Sequence, residues 1–517
     1  MKKKICLICP PSPFLLDERV FPFLGVLKVA ASFQQQGREV DVLDLSGIDN
    51  YTEVLEDYLN AHRTDLEFVG ITATTPQMPN AFKLGQIVKG CGEYKLVLGG
   101  SHVTLIHTAM KREHKKGIIG GRAARDVARI KKVFDILVCG DGELTLEAIC
   151  QLKEGVIDVD DKKSPFFLSN KNFSELPDPA RHLIDLDSYK YHIEGERATS
   201  MISQLGCPFR CTFCSGRNSP YLRLIRNRSV DSVIAEMEEI HLTYGYKGIM
   251  FYDDELNVSK SMVPLMRSIC DLSDKYGVDF KLRGFTKAEL FTEEQAKAMY
   301  AAGFRWLLTG FESGDPTTLV NIDKNATRDD NTRCVEIAKK AGLKVKALMS
   351  IGHAGETLER IENTKQWLLE AQPDDFDCTV ITTYPGSPYF DDAIWDEKEK
   401  CYVYTMKKTG DKLFQKELDY TQDADYYKGV PGEYTSYVWT ERMDAKALAE
   451  ARDDLEATVR SKLGIPYNPA SPARKYEHSM GSSRNREIPD WILRSTDTHQ
   501  KQEVERKQPE KRKLKVI

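Results

Sequence analysis

Residues 206–214 read Gly206-Cys207-Pro208-Phe209-Arg210-Cys211-Thr212-Phe213-Cys214 and place three cysteines at C-x3-C-x2-C spacing. Three thiolates on one short loop can bind three irons of a four-iron cluster and leave the fourth iron open, whereas clusters that only carry electrons normally take four cysteines. The alternatives are a zinc site, which usually takes a fourth Cys or His at paired spacing, and three unrelated buried thiols. The spacing favours the cluster.

This loop resembles the cluster loop of the radical S-adenosylmethionine (SAM) enzymes. By that resemblance, Cys207, Cys211 and Cys214 hold a 4Fe–4S cluster, and Phe213 lies against the adenine of SAM. The resemblance implies that an external donor of the flavodoxin or ferredoxin type reduces the cluster. The cluster then cleaves SAM and gives a 5′-deoxyadenosyl radical.

Length and composition set the surrounding bounds. A chain of 517 residues is too long for one compact core, so we expect two or three domains. The formal net charge of −5 gives no case for a nucleic-acid partner. Twelve cysteines without a secretory signal favour a reducing compartment, by default the cytoplasm. No window approaches the roughly 18 to 20 apolar residues of a membrane span.

Residues 1–150 alternate short apolar strands with helical patterns. The predicted strands are 5–8, 40–43, 68–71, 96–98 and 136–138. Such strands, buried on both faces, indicate an α/β domain with a doubly wound, Rossmann-like parallel sheet. Ligands of such sheets sit outside the carboxyl ends of the strands.

The turns at these strand ends resemble those of the cobalamin-binding domain that precedes the radical core in many radical SAM enzymes. By this resemblance, glycines let the backbone approach the corrin ring, small hydroxyl residues meet its amides, and the last turn borders the nucleotide tail. The residues so implied are Thr74, Thr75, Gly99, Gly100, His102, Gly140, Asp141, Gly142 and Glu143.

Two observations leave the cobalamin hypothesis open. The chain has no D-x-H-x-x-G sequence, whose His ligates cobalt in other cobalamin proteins, and we interpret His102 as a hydrogen-bonding residue at the corrin edge or to a neighbouring carbonyl. Glycine-rich strand ends also serve ordinary sharp turns. A retained but empty sheet domain is therefore the alternative.

The segments that follow are less regular. Residues 111–132 hold many basic residues and several glycines, which favours a mobile, solvated surface excursion. Residues 151–197 are predicted to be a linker, since a charged stretch at 158–163 and the sequence Leu176-Pro177-Asp178-Pro179 interrupt the apolar pattern.

Residues 198–390 again alternate strands and helices and predict a partial βα barrel, whose site would lie after the carboxyl ends of its strands. The predicted strand ends carry Asp253-Asp254-Glu255, Thr286-Lys287, Gly310-Phe311-Glu312-Ser313-Gly314, Gly352-His353-Ala354-Gly355-Glu356-Thr357 and Tyr384-Pro385-Gly386. In order and spacing, these motifs resemble the radical SAM core from end to end.

By this resemblance, Asp253 and Asp254 lie near the amino group of SAM, and Glu312 and Ser313 lie near its ribose or carboxylate. Lys287 stands where relatives often carry Arg, and would present a point charge to the methionine carboxylate. The alternative for the acidic pair is that it caps the next helix.

The C-terminal part carries less information. Residues 391–467 predict a mainly helical region, with an amphipathic helix at 443–463 that would face the barrel mouth and select the substrate. Residues 468–517 are rich in basic residues and poor in core formers, so we expect a mostly disordered tail.

These features together predict a cobalamin-dependent radical SAM enzyme. The expected reaction is methylation of carbon or phosphorus on a small metabolite, lipid or natural-product intermediate. A radical rearrangement or oxidative cyclisation with the same cofactors is the first alternative, and a noncatalytic cobalamin or redox sensor is the second.

Overall fold

A computed structural model describes residues 3–12, 19–189, 191–423 and 436–465. The tail predicted at 468–517 lies outside these ranges. Among the described residues, no helix is both long enough and apolar enough to cross a membrane.

The N-terminal part contains a parallel sheet of six strands. They are β1 Lys4–Cys9, β2 Val40–Asp44, β3 Leu66–Thr72, β4 Leu96–Gly99, β5 Ile136–Cys139 and β6 Gly155–Asp158. Their order across the sheet is β2-β1-β3-β4-β5-β6. The order reverses direction at β1, which pairs with both β2 and β3 and so creates the crevice in which sheets of this kind bind ligands. All five predicted strands are present.

Helices cover both faces of this sheet. They are α1 Leu24–Gln35, α2 Tyr51–Ala61, α3 Met78–Cys91, α4 Ser101–Lys115, α5 Arg122–Ile130, α6 Leu146–Gln151 and, beyond the sheet, α7 Asn170–Ser174. The apolar sides of α1 and α6 pack on one face, and those of α2 to α5 pack on the other. This arrangement confirms the doubly wound class. Strand β6 lies within the range predicted as a linker.

The radical-core region contains a second sheet with seven strands. Strands of this region are β7 His192–Ile193, β8 Glu196–Met201, β9 Gln204–Leu205, β10 Arg226–Asn227, β11 Gly248–Phe251, β12 Lys281–Thr286, β13 Phe304–Glu312, β14 Lys344–Ile351 and β15 Asp375–Val380. The sheet order is β15-β14-β13-β12-β11-β8-β7, and β9 and β10 form a separate antiparallel pair. Except for the short β7, neighbouring strands of the sheet run parallel.

Helices pack on the outside of this sheet and curl it into a half-barrel. The helices of this region are α8 Pro220–Arg223, α9 Val230–Tyr244, α10 Met262–Tyr276, α11 Glu293–Ala301, α12 Pro316–Asn321, α13 Arg328–Lys340 and α14 Leu358–Ala371. A large apolar core joins them to the sheet. The partial βα barrel is therefore confirmed.

The C-terminal region combines a small sheet with a long helix. Its elements are α15 Pro388–Asp391, β16 Ile394–Asp396, β17 Cys401–Thr405, β18 Lys412–Gln415, β19 Val438–Thr440 and α16 Ala445–Leu463. The predicted helix is present as α16. The four strands form an antiparallel sheet that the sequence analysis did not anticipate, because each strand is only three to five residues long.

The basic segment at 111–132 is only in part the solvated excursion that we expected. Residues 114–120 are exposed, but the segment also forms the end of α4 and all of α5, and Ala123, Val127 and Ile130 are buried. Arg122 is enclosed between the rings of Phe390 and Tyr402, at 3.5 and 4.1 Å from their centroids. The charge of Arg122 thus binds the N-terminal domain to the C-terminal region.

Candidate functional site

The loop with the three cysteines is held tightly by its neighbours. Gly206 has a φ of +92°, and a Cβ there would lie 2.0 Å from the carbonyl oxygen of Leu224, so only glycine fits. The amide of Cys207 donates to Leu222 O at 2.9 Å. The guanidinium of Arg223 donates to two further carbonyls of the loop. These contacts bring the three thiols to one wall of the site.

The three thiols of the loop lie where the surrounding protein raises their pKa values. Burial raises the pKa of Cys207 to about 12 and that of Cys214 to about 11, and it also raises the pKa of Cys211. Iron would hold these sulfurs as thiolates through its own charge. Within the described ranges, no three His, Cys, Asp or Glu side chains converge as ligands of a single metal ion. A four-iron cluster takes one thiolate per iron, so the three cysteines fit it without converging.

The two aspartates after β11 support this loop. Asp253 is buried, and it accepts hydrogen bonds from the amide of Ser203 at 2.7 Å and from the Ser203 hydroxyl. Asp254 accepts from the amide of Gly206 at 2.5 Å. Burial raises the pKa of Asp253 to about 7. Neither residue caps α10, because the residue before that helix is Ser261. Their predicted contact with the SAM amino group stays a prediction.

Lys287 lies beneath the cluster loop. Its ammonium is 3.0 Å from a carboxylate oxygen of Glu289, 3.2 Å from the carbonyl of Lys324, and 4.1 Å from the ring centroid of Phe209. Only 1% of its side chain is exposed. A positive charge is therefore fixed next to the loop at the position where the sequence predicted a contact with the methionine carboxylate.

Glu312 is the centre of a chain of polar contacts. Its backbone has a φ of +66°, which is uncommon for a residue with a side chain. One carboxylate oxygen lies 3.2 Å from the ammonium of Lys324, and the other accepts from the hydroxyl of Ser350 at 2.9 Å. The same hydroxyl lies 2.9 Å from Nε2 of His353. The ring of His353 in turn packs on Phe213, with centroids 5.4 Å apart. The two predicted residues Glu312 and Phe213 thus belong to one connected wall.

Ser313 is placed differently from Glu312. Its hydroxyl lies 2.8 Å from that of Thr364 in α14 and accepts from the amide of Asp315 at 3.0 Å. Both partners belong to the outer helical layer. These bonds engage Ser313 in fixing the end of β13, and its predicted contact with SAM stays a prediction.

Sequence reasoning missed Lys324. This lysine is buried, and nearby carboxylates, Glu312 first among them, raise its pKa despite the cost of burial. It lies in a turn between α12 and α13 whose flanking residues, Asp323 and Asn325, both have positive φ. An Asp-Lys-Asn tripeptide after a short helix was the available signal, since Asp and Asn tolerate the left-handed conformation.

Tyr252, which directly follows β11, belongs to a small aromatic cluster and is 41% exposed. Its ring contacts those of Phe21, at 5.2 Å, and Phe285, at 6.3 Å. Phe21 comes from the N-terminal domain, so both domains contribute to this cluster.

An opening lies at the carboxyl edge of the first sheet. This cavity has a volume of about 220 Å³ and extends between the sheet and α1. The predicted residues on its lining are Gly99, Gly100, Gly140, Asp141, Gly142 and Glu143. A Cβ at Gly99 would meet nothing within 4 Å, so the backbone borders open space there. One carboxylate oxygen of Glu143 is buried and, among the described residues, has no hydrogen-bond partner. The cavity thus combines an open backbone edge with an unused polar group, as a ligand with amide or hydroxyl donors requires.

The other three predicted cobalamin residues are not on this lining. Thr74 hydrogen-bonds Gln77 at the start of a short helix. Thr75 lies 3.2 Å from Nδ1 of His102. His102 is fully buried, with Nε2 at 3.9 Å from Asp126 and its ring 5.2 Å from that of Tyr420. These contacts turn His102 toward α5 and the C-terminal region.

The two domains are joined through the segment that follows the cysteines. Arg226, buried in β10, forms an ion pair with Asp141 of the first sheet. Tyr221 lines the 220 Å³ cavity, and its amide donates to Asp160 at 2.8 Å. The same carboxylate accepts from the hydroxyl of Thr108 in α4 at 2.6 Å. The carboxyl edges of both sheets therefore face each other across residues 215–226.

Comparison with known families agrees with this arrangement. Residues 201–368 match the model of the radical SAM superfamily, and residues 18–124 match that of the B12 binding domain. The first match covers the cluster loop and the strands from β9 to β14. The second covers the chain from α1 to the start of α5, with β2, β3 and β4 of the first sheet.

Sequence relatives and a solved structure are also similar to this chain. An uncharacterized methyltransferase of Pyrococcus horikoshii is 29% identical over 411 residues, which are 76% of this chain and 83% of that protein. The anaerobic magnesium-protoporphyrin IX monomethyl ester cyclase of Rubrivivax gelatinosus is 22% identical over 73% of this chain and 67% of that protein. The fold is similar to that of TsrM from Kitasatospora setae, a radical SAM methyltransferase solved with cobalamin and a 4Fe–4S cluster. The two share 16% identity and a TM-score of 0.62, with 92% of each chain covered.

The predicted cofactors, a 4Fe–4S cluster, SAM and cobalamin, are those that these two domains bind. A B12-binding sheet precedes a radical SAM half-barrel, and the carboxyl edges of the two sheets meet. The loop at 206–214 offers three cysteines, and no other ligands, to the cluster. The chain accordingly carries a radical SAM domain and a B12 binding domain, and it resembles the cobalamin-binding radical SAM enzymes, a methyltransferase-like family.

Proposed function

We propose that this enzyme methylates carbon or phosphorus on a small metabolite, lipid or natural-product intermediate. The observation that carries the proposal is the meeting of the two sheet edges, through the ion pair between Arg226 and Asp141. Methyl transfer from one cofactor to a radical made with another requires both to reach a common substrate. When bound, the cluster and SAM supply reductive cleavage to a 5′-deoxyadenosyl radical, and cobalamin supplies the methyl group.

The residues of the chain bind and orient these groups. Cys207, Cys211 and Cys214 ligate three irons, and the fixed charge of Lys287 faces the methionine carboxylate. Glu312 accepts from a ribose hydroxyl while Lys324 and Ser350 hold its carboxylate in place. Rigid hydrogen bonding of this kind lowers the cost of orienting the ligand.

The cavity beside α1 receives the nucleotide end of cobalamin. Gly99 leaves room for it, and the free oxygen of Glu143 binds a donor group on it. Because burial raises the pKa of Glu143 to about 7, this carboxyl can either accept or donate a hydrogen bond near neutral pH. Thr74, Thr75 and His102 support the neighbouring helix start and lie outside the lining of this cavity.

The aromatic cluster of Phe21, Tyr252 and Phe285 contacts the substrate. Its aromatic surface and the single phenol hydroxyl favour a ligand that is mostly apolar with a polar group at one end. All twelve cysteines are free thiols, which supports a reducing compartment such as the cytoplasm.

The test is product analysis from anaerobically reconstituted enzyme given SAM, cobalamin and a strong reductant. We expect both 5′-deoxyadenosine and S-adenosylhomocysteine, the latter only with cobalamin. The Cys211→Ala variant should lose 5′-deoxyadenosine and at least half of its iron, whereas Cys91→Ala, which changes a thiol remote from the loop, should keep both.

Two other outcomes would contradict methylation. Deoxyadenosine without S-adenosylhomocysteine, over a panel of candidate substrates, would favour rearrangement or cyclisation, as the name of the Rubrivivax relative suggests for that protein. If the cluster-loaded enzyme forms neither product, that result would favour a noncatalytic sensor.

A further inference from the structure

The outer side of the cluster loop carries positive charge. Arg210 lies between Cys207 and Cys211 and is exposed, and no carboxylate of the described residues is within ion-pair distance of it. Arg217 follows Cys214 by three residues, and its guanidinium donates to the carbonyl of Arg210. Two arginines therefore lie within a few residues of the predicted cluster ligands.

Two lysines of the C-terminal region lie on the same surface as these arginines. Lys408, in the turn between β17 and β18, is 70% exposed and lies 3.8 Å from Asp323. The same carboxylate lies 3.6 Å from Arg217. Lys407 is exposed beside Lys408. We call these four residues, Arg210, Arg217, Lys407 and Lys408, the basic rim.

The basic rim contrasts with the rest of the chain. It carries four positive charges, two of which lie within 4 Å of the carboxylate of Asp323, whereas the whole chain has a formal net charge of −5. Val320, at the end of α12, is 63% exposed. Ile322, two residues after Val320, is bonded to the cluster loop, because its carbonyl accepts a hydrogen bond from the amide of Thr212 at 2.8 Å. An exposed apolar side chain next to a charged rim is the composition of a small, transient protein interface.

We propose that the basic rim binds the electron donor, and that the donor is an acidic protein with a low-potential flavin or iron–sulfur group. This inference rests on the proposed function, because it needs the cluster. One electron passes from the reduced donor to the oxidised cluster, so the donor is oxidised by one electron and no atom or proton is transferred. The rim would steer the donor to the loop, in which Arg210 and Cys214 are exposed.

The experiment measures cluster reduction, in the absence of SAM, in reconstituted enzyme mixed with reduced flavodoxin. We expect the second-order rate constant to fall as salt increases, since opposite charges steer the encounter. The double variant Arg210→Glu/Lys408→Glu should lower this constant about tenfold at low salt and flatten its salt dependence. Its affinity for flavodoxin, measured by calorimetry, should fall in parallel.

Two controls make the outcome decisive. Reduced methyl viologen, a small cation, should reduce the variant at least as fast as the wild type. The double variant Arg267→Glu/Lys446→Glu makes the same charge change at exposed positions on α10 and α16, and should keep the wild-type rate with flavodoxin. An unchanged rate in the rim variant, or equal slowing in the control variant or with methyl viologen, would overturn the proposal. Because no SAM is present, none of these results depends on methylation.

Discussion

Gly99 borders the cavity beside α1 without any side chain of its own. A Cβ there would point into open space, in contrast to Gly100, where a Cβ would lie 2.6 Å from the carbonyl of Ala73. Glycine is therefore needed at these two adjacent positions for different physical reasons. Gly100, with a φ of +100°, permits the turn into α4, and Gly99 keeps the cavity free.

A larger residue at Gly99 should block the cavity. We expect Gly99→Leu to weaken cobalamin binding by at least roughly tenfold, since an apolar side chain would occupy the space of a ligand group. The iron content should not change. The measurement is an absorbance titration of the apoprotein with cobalamin. Gly90→Leu is the matched control, because Gly90 is also unobstructed but lies on the exposed side of α3. Equal affinities in the two variants would mean that cobalamin does not enter this cavity.

The turn from β14 to α14 shows how an element is positioned at a cost in stability. Glu356 is buried in this turn, where it accepts from the hydroxyl of Thr318 at 3.3 Å. Burial raises its pKa from 4.5 to about 7. Its folded state therefore binds a proton more tightly than the unfolded chain does. The stability from this group is present at low pH and is lost as the pH rises through about 7.

Glu356→Gln removes this loss because an amide does not ionise. We expect the variant to melt at a temperature roughly 2 °C or more above the wild type at pH 8, and at the same temperature at pH 5. Thermal melting followed by circular dichroism at the two pH values measures the difference. Glu359→Gln, on the exposed first turn of the same helix, is the control and should change neither midpoint. A stabilisation of equal size at both pH values would assign the effect to packing instead of ionisation.

At the scale of the whole molecule, a few buried ion pairs hold the two sheets in their facing arrangement. Arg226 is 1% exposed and pairs with Asp141, while on the far side Arg122 is enclosed by the C-terminal region. Breaking a buried pair leaves one charge without a partner, which costs about 3 to 5 kcal/mol. The relation between the two cofactor sites therefore depends on contacts between residues far apart in the chain.

Arg226→Met tests this dependence. We expect a lower melting temperature and faster amide hydrogen exchange in residues 215–226, because Asp141 keeps its buried charge without its partner. The double variant Arg226→Met/Asp141→Leu should recover part of the loss, since it removes both charges. Arg267→Met, which changes an exposed arginine with a distant partner at 3.9 Å, serves as control. Unchanged exchange in residues 215–226 would show that the pair does not hold the sheets together.

Local patterns in the sequence determined the two folds and the cluster loop. Short apolar runs give buried strands wherever they occur, and C-x3-C-x2-C spacing places three sulfurs on one loop whatever surrounds it. The turns at Gly99–Gly100 and Gly140–Glu143, predicted from a family resemblance to bind cobalamin, line a cavity. The small sheet formed by β16 to β19 could not be predicted, because strands this short carry no periodic signal.

Only the tertiary structure decided which of these residues meet. Thr75 and His102 follow strands of the same sheet as Gly99. His102 is the second residue of α4, however, and its side chain lies against Asp126 and Tyr420. Lys324 reaches the cluster loop from a turn more than a hundred residues away in sequence. Charge in the sequence likewise did not distinguish Arg122, which is buried against the C-terminal region, from Arg210, which is exposed outside the cluster. Burial depends on the packing of distant elements, and no local pattern encodes it.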